Sequence, residues 1–430
     1  MSDPHLHRQR YGGRQDRQHY GHVQRNRHVR NEWQLGHADG DVQVTLSLLA
    51  LLLTTASIDP RQANRNLAAG RSVHRIEAEQ QHEKAIPPRE QLAALDVPYT
   101  GDAFVTSAAR GDTRTVGLFL ASGLSPNARN GDGFTALMWS AGQGHMPVVE
   151  MLLASGADVN ARSKDGTTAL MTAASQGQTQ IAELLMARGA AREARRADGW
   201  TALIWSAAEG QAESVRVLLV HGAQIDAGDA RGMTPLMYAA ANITEEQPSG
   251  KTLPVVEMLI SHGARVDLKA TDGSTALMAA ARKGEHAIVQ ALLARGAHVN
   301  ARDAGGKTPL MYAAAGRGSP PIVEALIARG ADVNTKDKSG ATALMRAVRR
   351  RTPAMVQALL ARAADPNATD HHGTTALMIA AQFGKTDAVQ LLLTRRAKRD
   401  LRDTQGKTAV DLARENHHDT IVALLRPKPQ

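Results

Sequence analysis

Four fragments of this chain carry the residues that end a phosphate-binding loop: Gly250-Lys251-Thr252, Gly306-Lys307-Thr308, Gly384-Lys385-Thr386 and Gly406-Lys407-Thr408. Such a loop also needs a glycine five residues earlier, where the backbone must turn tightly under the phosphates. Those positions hold Glu245, Ala301, Ile379 and Leu401, so no cradle forms. His82-Glu83 begins the helical signature of a zinc protease, but the second histidine would fall at Ile86. His371-His372 and His417-His418 lack the i, i+4 geometry of a helical ligand pair. The absence of cysteine removes a thiol nucleophile, a cysteine-based zinc site and a disulfide framework. With no nucleophile beside a positioned base, the sequence predicts no enzyme, no cofactor and no metal.

Recognition chemistry is better represented. Aromatic residues make up 3% of the chain, yet three of its four tryptophans stand beside regularly recurring threonines. Phe134 and Trp200 precede Thr135 and Thr201, while Trp139, Trp205, Tyr238, Tyr312 and Arg346 follow a threonine by four residues. Tryptophan and tyrosine are favoured interface anchors because a large rigid ring is buried at low entropic cost. The turn residues Phe134 and Trp200 have less to pack against than the tyrosines. Tyr238 and Tyr312 serve equally well as framework. Further along, Arg282, Lys283, Arg346, Arg349, Arg350 and Arg351 give the same register a basic character. The predicted partner-binding set is Phe134, Trp139, Trp200, Trp205, Tyr238, Tyr312, Arg346 and Arg350, suited to a polypeptide with an apolar stretch and an acidic one.

The elements that position these residues recur. Thr135, Thr168, Thr201, Thr234, Thr275, Thr308, Thr342, Thr375 and Thr408 are separated by 33, 33, 33, 41, 33, 34, 33 and 33 residues, the mark of a stacked-repeat architecture. In the first full unit, Leu137, Ser140, Ala141 and Gly144 follow the spacing of one buried helical face, thin enough for close helix approach. Thr135 is placed to cap that helix. Pro147 suits the first position of a second helix, whose apolar stripe is Val148, Val149, Leu152 and Leu153. Gly156 supplies a left-handed end, and Asp132-Gly133 turns the chain into the next unit. Two short helices bury too little alone, so each unit leans on its neighbours.

On these residues the chain resembles an ankyrin-repeat protein. The second full unit carries the family pattern as Asp165-Gly166, Thr168-Ala169-Leu170-Met171, Ala173-Ala174, Leu184-Leu185 and Gly189-Ala190. The resemblance spans residues 100–427 as a degenerate first repeat and nine units, and implies an all-α solenoid of helix-turn-helix units with short β-hairpin-like turns. It also implies a non-enzymatic scaffold that holds a protein or peptide in a concave groove lined by first helices and turn tips. One departure recurs: methionine replaces the family's histidine at Met138, Met171, Met237, Met278, Met311, Met345 and Met378, exchanging a polar tie for apolar packing. In the closing units the cap glycine becomes Ala363 and Arg396; each substitution costs about 1 kcal/mol if a left-handed residue is still required.

Outside the repeats, residues 1–41 are rich in His, Arg and Gln and read as disordered. Their six histidines have no fixed spacing. Within 42–57, Val44–Ala56 is an uncharged apolar run, too short for a comfortable span of about 20 residues. It fits a signal peptide or an uncleaved anchor, with a short helix packed on the first repeat as the bland alternative. The favoured expectation is export to the periplasm or exterior as a monomer, with a membrane-anchored or cytoplasmic protein as the alternative. Residues 58–99 read as a linker with one short helix from Val73 to Lys84. The formal charge of +9 divides into 13 basic against 11 acidic residues up to Tyr99 and 38 against 31 beyond. That mild excess admits a nucleic-acid binder only as the second reading, since no reading helix or stacking module accompanies it.

Overall fold

The computed structural model describes residues 86–241, 251–350 and 352–426. The chain divides into two units, Met1–Gln81 and His82–Gln430, and the described residues all belong to the second. The readings for residues 1–41, for 42–57 and for a helix over Val73–Lys84 lie outside the described residues.

Among the described residues there are 21 helices and no strand. A short leading helix, α1 (Pro88–Ala94), is followed by ten pairs: α2 (Gly101–Ala109) and α3 (Thr113–Ala121), α4 (Ala136–Gln143) and α5 (Met146–Ala154), α6 (Ala169–Ser175) and α7 (Thr179–Ala187), α8 (Ala202–Ala208) and α9 (Ala212–Val220), α10 (Pro235–Ala241) and α11 (Leu253–Ser261). The series continues with α12 (Ala276–Lys283) and α13 (His286–Ala294), α14 (Pro309–Ala315) and α15 (Pro320–Ala328), α16 (Ala343–Arg350) and α17 (Pro353–Ala361), α18 (Ala376–Gln382) and α19 (Thr386–Thr394), α20 (Ala409–Glu415) and α21 (Asp419–Leu425). First helices pack on first helices and second on second, so one apolar core runs through every pair.

Each pair forms for the same local reasons. From Thr135 to Thr408, the repeated threonine oxygen accepts the N–H three residues on at 3.2–3.5 Å, satisfying one of the donors a helix start leaves unpaired. Alanines fill the centre of the first helices, and the seven methionines are each 1–2% exposed. Pro147 stands second in α5, after Met146, rather than first as expected; its missing N–H still falls among the unpaired donors. The long interval places the insertion between α10 and α11, and residues 242–250 of it lie outside the described residues.

Two hydrogen-bond series join successive units. At the hairpin tips, a backbone N–H of one unit donates to a carbonyl of the unit before, as from Ala197 to Asp165 at 2.8 Å, Ala230 to Asp198 at 3.1 Å and Ala304 to Asp272 at 2.8 Å. At the far ends of the second helices, an asparagine amide grips the next unit twice. Asn160 accepts from the Ala191 N–H at 2.8 Å and donates to the Gly189 carbonyl at 3.0 Å; Asn334 does the same to Asp365 at 2.8 Å and Ala363 at 3.1 Å.

The opening of the stack corrects the linker reading over residues 86–99; residues 58–85 lie outside the described residues. Leu92 of α1 is 1% exposed and α1 packs on α3. Tyr99 stacks on Phe119 with centroids 5.9 Å apart and donates its hydroxyl to the Ser122 carbonyl at 2.9 Å. Thr100 caps α2, accepting from the Ala103 N–H at 3.2 Å. The packed body therefore includes α1 and the segment after it.

Candidate functional site

The face made by the first helices and the hairpin tips brings the predicted aromatic residues together in two groups. In the first full unit, Phe134 and Trp139 are half-buried, with ring centroids 5.7 Å apart. Two units later, Trp200 lies edge-on to Trp205 at 6.4 Å and to Tyr238 at 4.7 Å. The Arg196 guanidinium sits 4.8 Å from the Trp205 ring and 6.0 Å from that of Trp200, flanked by the carboxylates of Asp165 at 3.4 Å and Asp198 at 3.5 Å. Burial alone would raise the Asp165 carboxyl, but hydrogen bonds from Ser163 and Thr167 and the charge of Arg196 hold it below its ordinary value. A flat cation between indole faces and carboxylates immobilises the rings.

Tyr238 is corrected by its burial. It is 1% exposed, and its hydroxyl donates to Asp229 Oδ2 at 2.6 Å while accepting from Arg231 Nη2 at 2.6 Å and Trp200 Nε1 at 3.0 Å. Burial and the bond to Asp229 push this phenol up to about 12. Tyr238 is framework here and presents no ring to a partner. Trp200 has more to pack against than its place at a turn suggested, because Tyr238 holds both its ring and its N–H.

Tyr312 remains half-buried and donates its hydroxyl to Asp303 Oδ2 at 2.7 Å. Its phenol too is raised, by burial first and then by that bond. Arg346 pairs through Nη2 with Asp337 Oδ2, whose side chain is 2% exposed. Its charge is therefore committed inside the fold. Burial opposes ionisation of Asp337, but hydrogen bonds from Ser339 and Arg346 outweigh it and keep the carboxyl below its ordinary value. Arg350, by contrast, is exposed at the end of α16.

These contacts share a register that reading the threonine-based columns separately misses. In four units the residue four past the threonine meets the residue five before it. Asp229, Asp303 and Asp337 meet Tyr238, Tyr312 and Arg346; Arg196 meets Trp205. The same aspartates use Oδ1 to accept tip N–H groups, as from Arg231 and Met233 at 2.8 Å to Asp229, which stiffens the turn. They supply the polar tie that the buried methionines do not. A nine-residue coupling of residue types was the available signal.

Much of the positive charge has a structural use. Arg129, Arg162 and Arg195 each donate to a backbone carbonyl 33 residues on, that of Arg162, Arg195 and Gly228. Arg302 reaches Lys336 at 2.6 Å and Lys336 reaches Thr369 at 2.6 Å. Arg395, which caps α19, donates to the Leu360 carbonyl at 2.7 Å, and the histidines of the inter-helix turns behave alike: His145 and His418 place Nε2 3.0 and 3.2 Å from the carbonyls of Ala109 and Gln382.

Among the described residues no helix is long and apolar enough to cross a membrane. Compared with known families, the chain matches the model for ankyrin repeats in three copies over residues 104–195, 189–250, 246–337, 305–370 and 344–430. A search of curated proteins returns no match.

Proposed function

The chain belongs to the ankyrin-repeat family, whose repeats generally mediate protein–protein interaction, and from that premise we propose that it is a non-enzymatic scaffold. It holds a protein or peptide on the first helices and hairpin tips of the early units. The observation that carries this reading is the preorganised aromatic patch in which Arg196 spaces Trp200 and Trp205, with Phe134 and Trp139 two units before. Half-buried indoles held rigid lose little entropy when a partner covers them. The scaffold works as a monomer and without a cofactor, and Val44–Ala56 directs export, which sequencing of the mature N-terminus checks.

A nucleic-acid reading starts from the charge of +9. The hairpin arginines weigh against it, because side chains engaged with carbonyls of the next unit are not available to run along phosphates.

The experiment is capture from a native extract by the purified full chain and by Trp205→Ala, with helix content measured for both. Trp205 is chosen because its removal spares the Trp200–Tyr238 hydrogen bond. Retained proteins should be lost from the variant; equal capture by both chains refutes the assignment.

A further inference from the structure

We propose that the late units carry a second, separate subsite for a short acidic polypeptide segment with one large aliphatic side chain. The carboxylates meet Arg349 and Arg350, and the aliphatic group enters the adjoining cleft. This deepens the scaffold reading, on which it rests, by naming the chemistry of a partner at a different place on the stack.

Three observations converge there. A cleft of about 360 Å³ opens between α16–α17 and α18–α19, with Val348, Val356 and Ala388 as its apolar floor and Thr352 and Thr386 on its rim. Asp387 also lies on the rim, in the first turn of α19, with the cation Lys385 lining the same cleft. That volume is at the small end of ligand sites and suits one side chain. At its edge Phe383 is 42% exposed, whereas the same register in other units holds Gln143, Gln176, Glu209 and Asn416. The Arg349 guanidinium stands 5.9 Å from the Phe383 ring, which fixes one of the two cations in place.

Beyond the Arg349–Phe383 contact, the two arginines are not used within the fold. Among the described residues neither Arg349 nor Arg350 side chain takes a hydrogen bond or ion pair, and both are exposed. Offsetting the dipole at a helix end is the competing explanation for basic residues in a last turn. Yet α2, α4, α6, α8, α14 and α18 do without any, α12 ends on a basic pair, Arg282 and Lys283, but without an exposed ring beside it, and in α20 the one present, Arg414, is paired with Asp411 at 3.5 Å. Charge complementarity therefore selects an acidic partner, and the apolar floor selects a polypeptide over a nucleic-acid strand. A strand would need a succession of open stacking faces, and here the one exposed ring lies beneath a guanidinium.

The test is fluorescence anisotropy with the full chain and a labelled peptide of glutamate and glycine carrying one central leucine. Binding should weaken with added salt as screening shortens from about 10 Å to about 3 Å. It should fall about tenfold or more when the peptide leucine becomes alanine, and by at least as much in the Arg349→Glu, Arg350→Glu protein. The Arg349→Lys, Arg350→Lys protein should stay within a few fold. Urea midpoints confirm that both remain folded. The proposal is overturned if the wild-type chain does not bind the leucine peptide, if charge reversal leaves binding unchanged, or if an oligothymidylate of equal charge binds as tightly. Trp205→Ala should not affect this peptide, so loss of the early aromatic site and loss of this subsite read out separately.

Discussion

At the C-terminal end of each second helix from α3 to α19 the chain passes through the left-handed region, and in two units it does so without glycine. Ala363 has φ 61° and Arg396 φ 60°, against φ 86° at Gly330 in the unit before. Two hydrogen bonds impose the conformation at Ala363: the Ala364 N–H must return to the Leu359 carbonyl at 3.1 Å, and the Ala363 carbonyl must meet Asn334 at 3.1 Å. A residue with a Cβ costs about 1–2 kcal/mol there, while glycine gives back about 0.4–1 kcal/mol through its freer unfolded chain. The net gain for Ala363→Gly is about 0.5–1 kcal/mol. No packing is lost, since the Ala363 side chain is exposed. The reverse change isolates the same effect: a Cβ built at Gly330 meets nothing within 4 Å, so Gly330→Ala should cost about 1 kcal/mol from backbone strain alone. At the tip glycine Gly199, by contrast, a Cβ would lie 2.5 Å from the Ala230 nitrogen, and Gly199→Ala should cost about 2–4 kcal/mol. Amide hydrogen exchange of the peptide spanning α17 and its cap is the assay, because a stacked chain opens locally. Exchange should slow about two- to fivefold in Ala363→Gly. Unchanged or faster exchange refutes the claim that the left-handed residue is the liability.

Three further changes probe the polar ties. Arg346→Met leaves the buried Asp337 carboxylate without its guanidinium and should cost about 3 kcal/mol near neutral pH. Because the Asp337 value is depressed in the folded chain, that contribution is present above about pH 4 and lost as pH falls through the folded value. Urea midpoints of wild type and variant should therefore converge in acid; a constant gap contradicts the pairing. Tyr238→Phe removes a hydroxyl with three partners and should cost about 2 kcal/mol. With the phenol raised to about 12, its contribution is complete below about pH 10 and disappears as pH rises through the folded value. A difference between wild type and variant that persists above that value contradicts the assignment. Asn334→Ala should cost about 1–2 kcal/mol and loosen exchange in the units on both sides of the lost clamp; an effect confined to one unit would show that the amide does not couple them.

The repeat, its caps and its helix pairs are legible in the sequence because their causes are local: a threonine at each helix start, small residues along one face, a glycine where the chain reverses. What joins units is harder to read. Arg162 looks like surface charge until the Arg195 carbonyl, 33 residues away, comes to rest beside it. Tyr238 and Trp139 hold equivalent positions, yet one is 1% exposed and the other half-buried. The difference lies nine residues earlier: Asp229 and Asn130 both spend Oδ1 on two tip N–H groups, but Asp229 has a second oxygen left to accept the hydroxyl hydrogen bond. Leu92 escapes notice because it is the single buried residue of α1.

The attachments between neighbours also determine how the stack responds to being pulled. Tip rungs, basic side chains and asparagine grips act side by side at a junction, whereas the junctions themselves lie end to end, so tension is borne in full by each. Extension must then begin at the most weakly fastened joint and proceed one unit at a time, letting out chain like successive links. Ala363 and Arg396 put that joint among the last units, where a drag on the C-terminus would lengthen the protein while the early aromatic face kept its form.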